Sequence, residues 1–365
     1  MKITGIIAEY NPFHNGHKYQ IENSGADATV VVMSGNFVQR GEPAIWNKWT
    51  RAKHAVQNGV DLVLELPCDF AVSSAERFAF GGVYILNSLG IIDTITFGAE
   101  NELSDLINTL NELSETEIIS VMNEYEGLSY HEARNKIVSN KEILNKPNNI
   151  LGIEYLKALK KLNSSIKPNV ILRKGANHNS LTTVEEFASA TYLRDAIRID
   201  KDFAKYMPTP IPGSTSITAE DLFHLIKYRL LSDELFEIGE MREGIENRIK
   251  KAVVDANSFD ELISSIKTKR YTYTSISRMI IHALLNIKKS DLSDAPQYTR
   301  VLAASKKGRE ILGRLRDTSL IPIITKGSDA KDIPEFTLDV KAGNIYSLIE
   351  KSTINQDYTM MPYIE

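Results

Sequence analysis

The first two hundred residues alternate short runs of apolar, β-branched residues with segments of helical length. The predicted strands are 2–8, 29–34, 60–66, 94–97 and 170–172, and the predicted helices are 15–24, 48–58, 74–89 and 189–198. Strands separated by helices form parallel sheets, because each crossover carries the chain back across one face of the sheet. The sequence therefore predicts an α/β fold with a doubly wound, Rossmann-like parallel sheet.

A second region follows the predicted sheet. Residues 207–213 read MPTPIPG, a run rich in proline that favours a break between domains. Residues 218–318 carry Leu, Ile, Lys, Arg and Glu at helical spacing. A chain of 365 residues also exceeds the size at which single cores stop growing, about 250–300 residues. We expect a catalytic domain at 1–206 and a mostly α-helical domain at 207–365.

Composition restricts the class of protein. Hydrophobic residues make up 42% and charged residues 25% of the chain, and no run approaches the roughly 18 apolar residues of a membrane span. The start MKITGIIAEY lacks the features of a secretory signal. We expect a cytoplasmic protein with no membrane partner. The single cysteine, Cys68, cannot form an intramolecular disulfide, and we interpret it as a structural thiol.

The loop EYNPFHNGH follows the first predicted strand and opens the first helix. Ligands of open α/β sheets bind outside the carboxyl ends of the strands, where a helix N-terminus attracts phosphate. His14 and His17 share one helical face and can donate hydrogen bonds to phosphate oxygens, while Gly16 leaves space for a nucleotide. Two alternatives are polar residues at a helix cap and half of a zinc site, but no nearby Cys or carboxylate completes the latter. We predict a phosphate site without a protein-bound metal.

This loop resembles the HxGH motif of the nucleotidylyltransferase superfamily. Members of that superfamily also carry a Ser- and Thr-rich signature that ends in arginine at the start of a late helix, and residues 189–194, SATYLR, fit it. The resemblance implies that Ser189 and Thr191 bind the β and γ phosphates and that Arg194 offsets the charge of the leaving pyrophosphate. The alternative is a plain capped helix with a surface arginine.

The same loop and three further segments narrow the resemblance. EYNPFHNGH, SGNFVQRGEPA, DLVLELP and FGAE, all within residues 1–200, are similar to bacterial tRNA(Met) cytidine acetate ligases, with weaker similarity beyond. That family implies activation of acetate by ATP, with Mg²⁺ on the triphosphate. The resulting acetyl-adenylate transfers its acetyl group to N4 of the wobble cytidine in elongator tRNA(Met), which yields N4-acetylcytidine.

The same resemblance implies a set of ATP-binding residues. They are Gly98, Asn149 and Arg173, together with the stretch Ile7, Ala8, Glu9, Tyr10, Asn11, Pro12, Phe13, His14, Asn15, Gly16, His17, Lys18, Tyr19 and Gln20. The expected catalytic residues are His14, His17, Lys48 and Arg194.

Three of the implied positions have open alternatives. Lys48 is either a phosphate ligand or a solvated helix charge. Gln39 and Arg40, in a loop bounded by glycines, form either an active-site lid or a structural turn.

Two basic clusters are candidates for contact with tRNA. They are Lys267, Lys269 and Arg270 beside two tyrosines, and Lys306, Lys307 and Arg309. Clustered cations bind phosphates and interleaved tyrosines stack on bases, although a charge run is often only a solvated helix face.

Two other functions remain open on the residues alone. One is a nucleotidylyltransferase that makes a coenzyme from ATP and a phosphorylated small molecule. The other is a non-catalytic RNA-binding protein on a nucleotide fold. The long basic helical region disfavours the first, and the complete HNGH and SATYLR segments disfavour the second.

Overall fold

A computed structural model gives the fold of the chain. It describes residues 1–125, 130–173, 186–209, 211, 215–242, 244–268 and 270–365. The strands are β1 (Ile3–Ala8), β2 (Ala28–Ser34), β3 (Phe37–Val38), β4 (Glu42–Pro43), β5 (Leu62–Leu66), β6 (Thr94–Ala99), β7 (Lys167–Leu172), β8 (Thr299–Ala304), β9 (Ile323–Ile324) and β10 (Tyr363–Ile364).

Helices cover most of the remaining described residues. The α-helices are α1 (Asn15–Glu22), α2 (Lys48–Gln57), α3 (Cys68–Ala71), α4 (Ala75–Ser88), α5 (Leu103–Glu112), α6 (Glu115–Glu124), α7 (Tyr130–Ile137), α8 (Lys141–Leu144), α9 (Pro147–Lys161), α10 (Ala190–Arg198), α11 (Phe223–Ser232), α12 (Ile245–Asp255), α13 (Phe259–Ile266), α14 (Tyr273–Leu285), α15 (Lys306–Thr318), α16 (Pro334–Glu350) and α17 (Gln356–Thr359). Short 3-10 helices lie at Ala204–Tyr206, Lys289–Asp291 and Gly327–Ala330. Among all these helices, none has the length and apolar character needed to cross a membrane.

The predicted parallel sheet is confirmed. Its strand order is β10-β8-β5-β2-β1-β6-β7, and β5, β2, β1, β6 and β7 are all parallel. The chain runs from β1 outward through β2 to β5, then returns to the other side of β1 for β6 and β7. The order therefore reverses between β1 and β6, which is the place where ligands of such sheets bind.

Both faces of the sheet are covered, as the uninterrupted apolar strands predict. On β2, Val30 and Val32 point into one core with α4, while Val31 and Met33 point into a second core with α2. All four side chains are buried. Because successive residues of a strand alternate between faces, a strand apolar at every position needs a layer on each side.

The carboxy-terminal part of the chain departs from the predicted division at residue 207. Strand β8 was expected to be helical, but it pairs antiparallel with β5, with Leu62 opposite Ala304. Strands β9 and β10 pair parallel to the other side of β8. The edge of β5 would otherwise carry unpaired backbone groups, and β8 satisfies them. The second region is thus not separate from the first along its whole length.

The predicted helical region lies between the two segments that build the sheet. Helices α11 to α14 share one hydrophobic core, which also contains Phe37, Cys68 and Val72 from the α/β region. Cys68 is 5% exposed, and burial raises the pKa of its thiol well above the ordinary value. The helices therefore pack against the segments that follow the carboxyl ends of β2 and β5.

A buried ion cluster anchors the carboxy-terminal helix α17. The Lys48 ammonium donates to both oxygens of Glu65, at 2.6 and 2.9 Å, and to Asp357 Oδ1 at 2.5 Å. Arg300 Nη1 donates to the same Asp357 oxygen at 3.0 Å. None of these four side chains is more than 3% exposed. The cluster joins α2, β5, β8 and α17.

We expect Asp357→Ala to destabilise the fold by about 3–5 kcal/mol, because the change leaves two buried cations with one carboxylate. Urea denaturation followed by circular dichroism measures the loss. The exposed Asp332→Ala is the matched control. An equal, small loss in both variants would contradict the assigned role of the cluster.

Candidate active site

A cavity of about 430 Å³ opens where the strand order reverses, next to the ends of β1 and β6. Its size is within the range of roughly 300–1,000 Å³ found for small-molecule sites. The predicted residues that line it are Ile7, Ala8, Glu9, Tyr10, Asn11, His14, His17, Gln20, Gly98, Arg173 and Arg194. Predicted residues outside its lining are Pro12, Phe13, Asn15, Gly16, Lys18, Tyr19, Lys48, Asn149, Ser189 and Thr191.

The two histidines form a capping box at the start of α1. Nδ1 of His14 accepts the Gly16 backbone N–H at 3.1 Å, and Nδ1 of His17 accepts the His14 backbone N–H at 3.2 Å. The rings stack with centroids 3.7 Å apart and planes 20° apart. Since each Nδ1 is an acceptor, a neutral ring carries its proton on Nε2. Both imidazoles are therefore held as Nε2–H donors at the cavity wall.

Gly16 makes room for the His14 ring. A Cβ at this position would lie 2.9 Å from His14 Cε1 and 3.0 Å from its Nδ1. Asn15, between the histidines, does not line the cavity. Its Nδ2 donates to the carbonyls of Glu186 and Lys205, each at 2.9 Å. This residue ties α1 to the segments before and after α10.

The three residues of the SATYLR segment have different roles. Ser189 Oγ accepts the Tyr192 N–H at 3.0 Å and caps α10. Thr191 lines a second, adjacent cavity of about 230 Å³. Arg194 lines both cavities, and its Nη1 donates to the Asn11 carbonyl at 3.0 Å. Burial lowers the pKa of Arg194, and the carboxylate of Glu42 opposes that shift.

Asn149 supports the cavity from behind. It is fully buried, and its Oδ1 accepts the N–H groups of Glu100 and Asn101, at 2.9 and 3.2 Å. The neighbouring Asn148 lines the cavity instead. The Asn149 side chain thus positions the loop that follows β6, and a direct ATP contact at this residue stays a prediction.

Gly98 and Arg173 are brought together at that loop. A Cβ on Gly98 would lie 3.6 Å from Arg173 Cγ, so the arginine stem passes over the glycine. The Arg173 backbone N–H donates to the Ala99 carbonyl at 2.9 Å, which continues the pairing of β7 with β6. Residues 174–185, which directly follow Arg173, lie outside the described residues.

Lys48 is not at the cavity. Its ammonium group is 1% exposed and donates to Glu65 and Asp357 in the buried ion cluster. The structure thus corrects the expectation of a phosphate ligand at this position, because the three donors of the ammonium are already in contact with carboxylate oxygens.

Arg51, three residues later, was not predicted to matter. Its guanidinium is buried and donates to the main-chain carbonyls of Glu9, Trp46, Ser34 and Gly35. Burial lowers the pKa of Arg51 to about 10. The residue holds together the chain segments that leave β1 and β2, and so fixes the cavity floor.

Gln39 and Arg40 line the cavity, but their loop is fastened at several points. Gln39 N–H donates to Glu9 Oε1 at 2.9 Å, and its side chain donates to the Ser73 carbonyl at 3.1 Å. Gly41, at φ 79°, lies against the backbone of α14, where the Ser277 hydroxyl donates to its carbonyl at 2.6 Å. The loop is a wall of the site, which favours the structural alternative over a lid.

The apolar wall of the cavity was missed from sequence. Phe78, Phe97, Leu151 and Tyr155 all line it, and the last two rings, Phe97 and Tyr155, meet edge to face at 5.4 Å. Such a wall suits the flat face of a purine base. Periodicity cannot separate these residues from ordinary core positions, since apolar side chains at the same spacing are buried or partly buried in both cases.

The two basic clusters lie at opposite edges of the molecule. Helix α15 begins at the amino end of β5, where Lys307 Nζ donates to the Asp27 carbonyl at 2.6 Å. Lys306 and Arg309 are therefore on the side of the sheet away from the cavity. Lys267 and Arg270 instead precede α14, whose Thr274 lines the cavity. Lys269 lies outside the described residues.

Comparison with known proteins agrees with this geometry. A family model described as HIGH Nucleotidyl Transferase matches residues 1–360. The fold and the paired histidines thus define a HIGH-type nucleotidyl transferase.

Full-length relatives are more specific. A tRNA(Met) cytidine acetate ligase of Clostridium perfringens is 44% identical, with 100% of both chains covered. One from Thermoanaerobacter is 41% identical, with 97% of this chain and 96% of the relative covered. This chain belongs to the tRNA(Met) cytidine acetate ligase family, as the sequence resemblance indicates.

Two solved structures share the fold. The apo crystal structure of Thermotoga maritima TmcAL superposes with a TM-score of 0.92 at 31% identity and covers 100% of this chain and 99% of that one. The form bound with alpha-thio ATP gives a TM-score of 0.89 at the same 31% identity and the same coverage.

We expect Gly16→Ala to slow adenylate formation about tenfold or more, because the added methyl group displaces the His14 imidazole and a small misplacement of a catalytic group is costly. ATP–pyrophosphate exchange measures the rate. Gly313→Ala is the control, since a Cβ at Gly313 meets nothing within 4 Å. Equal rates in both variants would contradict the positioning role of Gly16.

Proposed function

We propose that this chain is an ATP-dependent acetate ligase. It joins acetate to AMP and transfers the acetyl group to N4 of the wobble cytidine of elongator tRNA(Met), which yields N4-acetylcytidine. The observation that carries the proposal is the pair of Nε2–H donors, His14 and His17, at a nucleotide-sized cavity in a chain whose full-length relatives bear this activity in their names.

In the first step, an acetate oxygen attacks the α-phosphorus of ATP and pyrophosphate leaves. Negative charge grows on the phosphate oxygens in the transition state, where preorganised donors are most effective. His14 and His17 supply such donors, and Arg194 lies where it can offset charge on the pyrophosphate. Acetate is already an anion, so the attack needs no general base.

The remaining wall residues position ATP. The apolar wall formed by Phe78, Phe97, Leu151 and Tyr155 suits the adenine, and Gly98, Asn148 and Arg173 line the adjoining part of the cavity. In the described part of the chain, no group of three or more His, Cys, Asp or Glu side chains is arranged to hold a metal ion. A Mg²⁺ ion would therefore be held mainly by the triphosphate, where it neutralises charge.

The tRNA approaches from the side of α14. Lys267 and Arg270 are exposed there, and Arg270 lies 5.7 Å from the ring centre of Tyr271. We prefer this side to α15 as the tRNA-binding surface because the reacting cytidine must reach the cavity, and α15 lies on the side of the sheet away from it. A coenzyme-forming transferase has no need of such a basic face.

One assay tests the whole proposal. The protein is incubated with ATP, radiolabelled acetate and total tRNA, and acid-stable label in RNA is counted. The expected product is N4-acetylcytidine after nuclease digestion. Adenylyl transfer to a phosphorylated metabolite without label in RNA would rule out the ligase.

We expect His17→Ala to lower the rate of acetyl-adenylate formation by about 10²-fold or more, because one transition-state donor is lost. Acetate-dependent ATP–pyrophosphate exchange measures this rate, and thermal melting checks the fold. His224→Ala, on the exposed face of α11, is the control. A near-normal rate in a folded His17→Ala variant would show that the imidazole does not act on phosphate.

We expect the double variant Lys267→Ala and Arg270→Ala to weaken tRNA binding about tenfold and to reduce its salt dependence, since each lost phosphate contact lowers the salt slope by about one. Filter binding at several salt concentrations measures both quantities. The double variant Lys306→Ala and Arg309→Ala tests the opposite edge and is expected to bind normally. The reverse result would move the tRNA surface to α15.

A further inference from the structure

The second cavity opens directly onto the proposed ATP site. It has a volume of about 230 Å³, and Arg40 and Arg194 line both cavities. Its polar wall also includes Glu42 of β4, Asp260 of α13 and Tyr273 of α14, and it contains Thr191, Asp195, Arg198, Thr218 and Glu220 as well. With Phe259, the cavity thus combines three guanidinium groups, four carboxylates and two aromatic rings beside the place where the adenylate would form.

We propose that this cavity receives the cytosine base of the acceptor nucleotide, with Glu42 accepting a hydrogen bond from the exocyclic amino group. This inference rests on the proposed ligase function and adds a binding site for the second substrate. Arg40 and Arg194, the two arginines that border both cavities, face the ring nitrogen and carbonyl of the same base edge.

Hydrogen-bond chemistry explains why this set of groups suits cytosine. The Watson–Crick edge of cytosine presents an amino donor next to two acceptors, whereas uracil presents a carbonyl acceptor next to an N–H donor. A carboxylate only accepts and a guanidinium only donates. Glu42 beside Arg40 therefore matches cytosine, and the same pair repels the corresponding groups of uracil. A site built to bond one edge rejects the other because its buried groups would be left unpaired.

The aromatic side of the cavity can stack on the base. Tyr273 is held in place by its hydroxyl, which donates to Asp260 Oδ1 at 2.9 Å. Unpaired bases in RNA are commonly recognised by such stacking together with contacts to their Watson–Crick edge. Tyr273 also lies three residues after the exposed Arg270 along the chain, so a strand bound on that face would lead into the cavity.

The position of Glu42 is fixed by its neighbours. The preceding residue, Gly41, lies against the backbone of α14, and its carbonyl accepts the Ser277 hydroxyl at 2.6 Å. Since Tyr273 opens the same helix, the carboxylate and the ring are held on one framework. Burial raises the pKa of Glu42, and Arg194 and Arg40 oppose that rise.

The same geometry gives Glu42 a place in the transfer step. The lone pair of N4 attacks the acetyl carbonyl carbon of the acetyl-adenylate, and the new C–N bond forms. The C–O bond to the phosphate breaks, and AMP leaves with that electron pair. The N4 proton passes to the Glu42 carboxylate, so no further reactant is needed.

Glu42→Gln tests the inference because it keeps the size of the side chain and removes its negative charge. Two reactions are measured separately: acetate-dependent ATP–pyrophosphate exchange, and acetyl transfer to a tRNA(Met) transcript with a wobble cytidine. We expect exchange within about twofold of wild type and transfer slowed by about 10²-fold or more, as for loss of a proton acceptor. Glu234→Gln, on an exposed turn, is the matched control.

A second readout tests base recognition rather than rate. A transcript with a wobble uridine should compete poorly for wild type and at least several-fold better for Glu42→Gln, since the amide can donate to the uracil carbonyl. Tyr273→Phe keeps the ring and should retain tRNA affinity, whereas Tyr273→Ala should raise the KM for tRNA.

Each other outcome contradicts one specific claim. Wild-type transfer and unchanged discrimination in Glu42→Gln would overturn the base pocket. An equal fall in exchange and transfer would also overturn it, because Glu42 would then act through Arg194 on ATP. Failure of the wild-type protein in acetate-dependent exchange would instead remove the ligase function itself, whatever the variants do.

Discussion

The first turn of α1 is the constraint on which the site depends. The N–H groups at the start of a helix have no partner within the helix, so other groups must accept them. Here the acceptors are imidazole nitrogens, with His14 bonded to Gly16 and His17 bonded to His14. The requirement of the backbone thus decides that Nδ1 of each ring is an acceptor, which leaves the proton of a neutral ring on Nε2. The same two rings therefore cap α1 and supply the donors on which the proposed function relies.

Much of the fold was predictable because its signal is local. The strands β1, β2, β5 and β6 are short apolar runs, and the loop after β1 carries its motif in nine consecutive residues. Strand β8 was not predicted, because its run TRVLAA is short and its partner β5 lies more than two hundred residues earlier. Pairing at that separation depends on which sheet edge is left open, and no local pattern records it.

Like the strands, the site residues divide into those with a local sequence signal and those whose position depends on distant parts of the chain. The histidines and Arg194 were placed at the cavity from motif and order, whereas Lys48 and Asn149 have suitable chemistry but lie behind it. A resemblance assigns a role to a residue from its place in a motif. Whether that residue contacts a ligand directly depends on whether its side chain is buried. For Lys48 burial is set by Asp357, at the far end of the chain. The apolar wall was missed for the opposite reason. Phe97 and Tyr155 line the cavity, but their sequence pattern is the same as that of core residues.

Two arginines connect the cavities that the proposed function assigns to the two steps of the reaction. Arg51 binds the carbonyls at the ends of β1 and β2, and Arg194 binds the Asn11 carbonyl of the same loop while it lines both cavities. A rigid loop between two cavities keeps a reactive intermediate formed in one within reach of an acceptor in the other. Acetyl-adenylate hydrolyses readily in water, so transfer is efficient only if the acceptor base is held next to the place of formation. The shared wall of the two cavities meets that requirement without any movement of the adenylate.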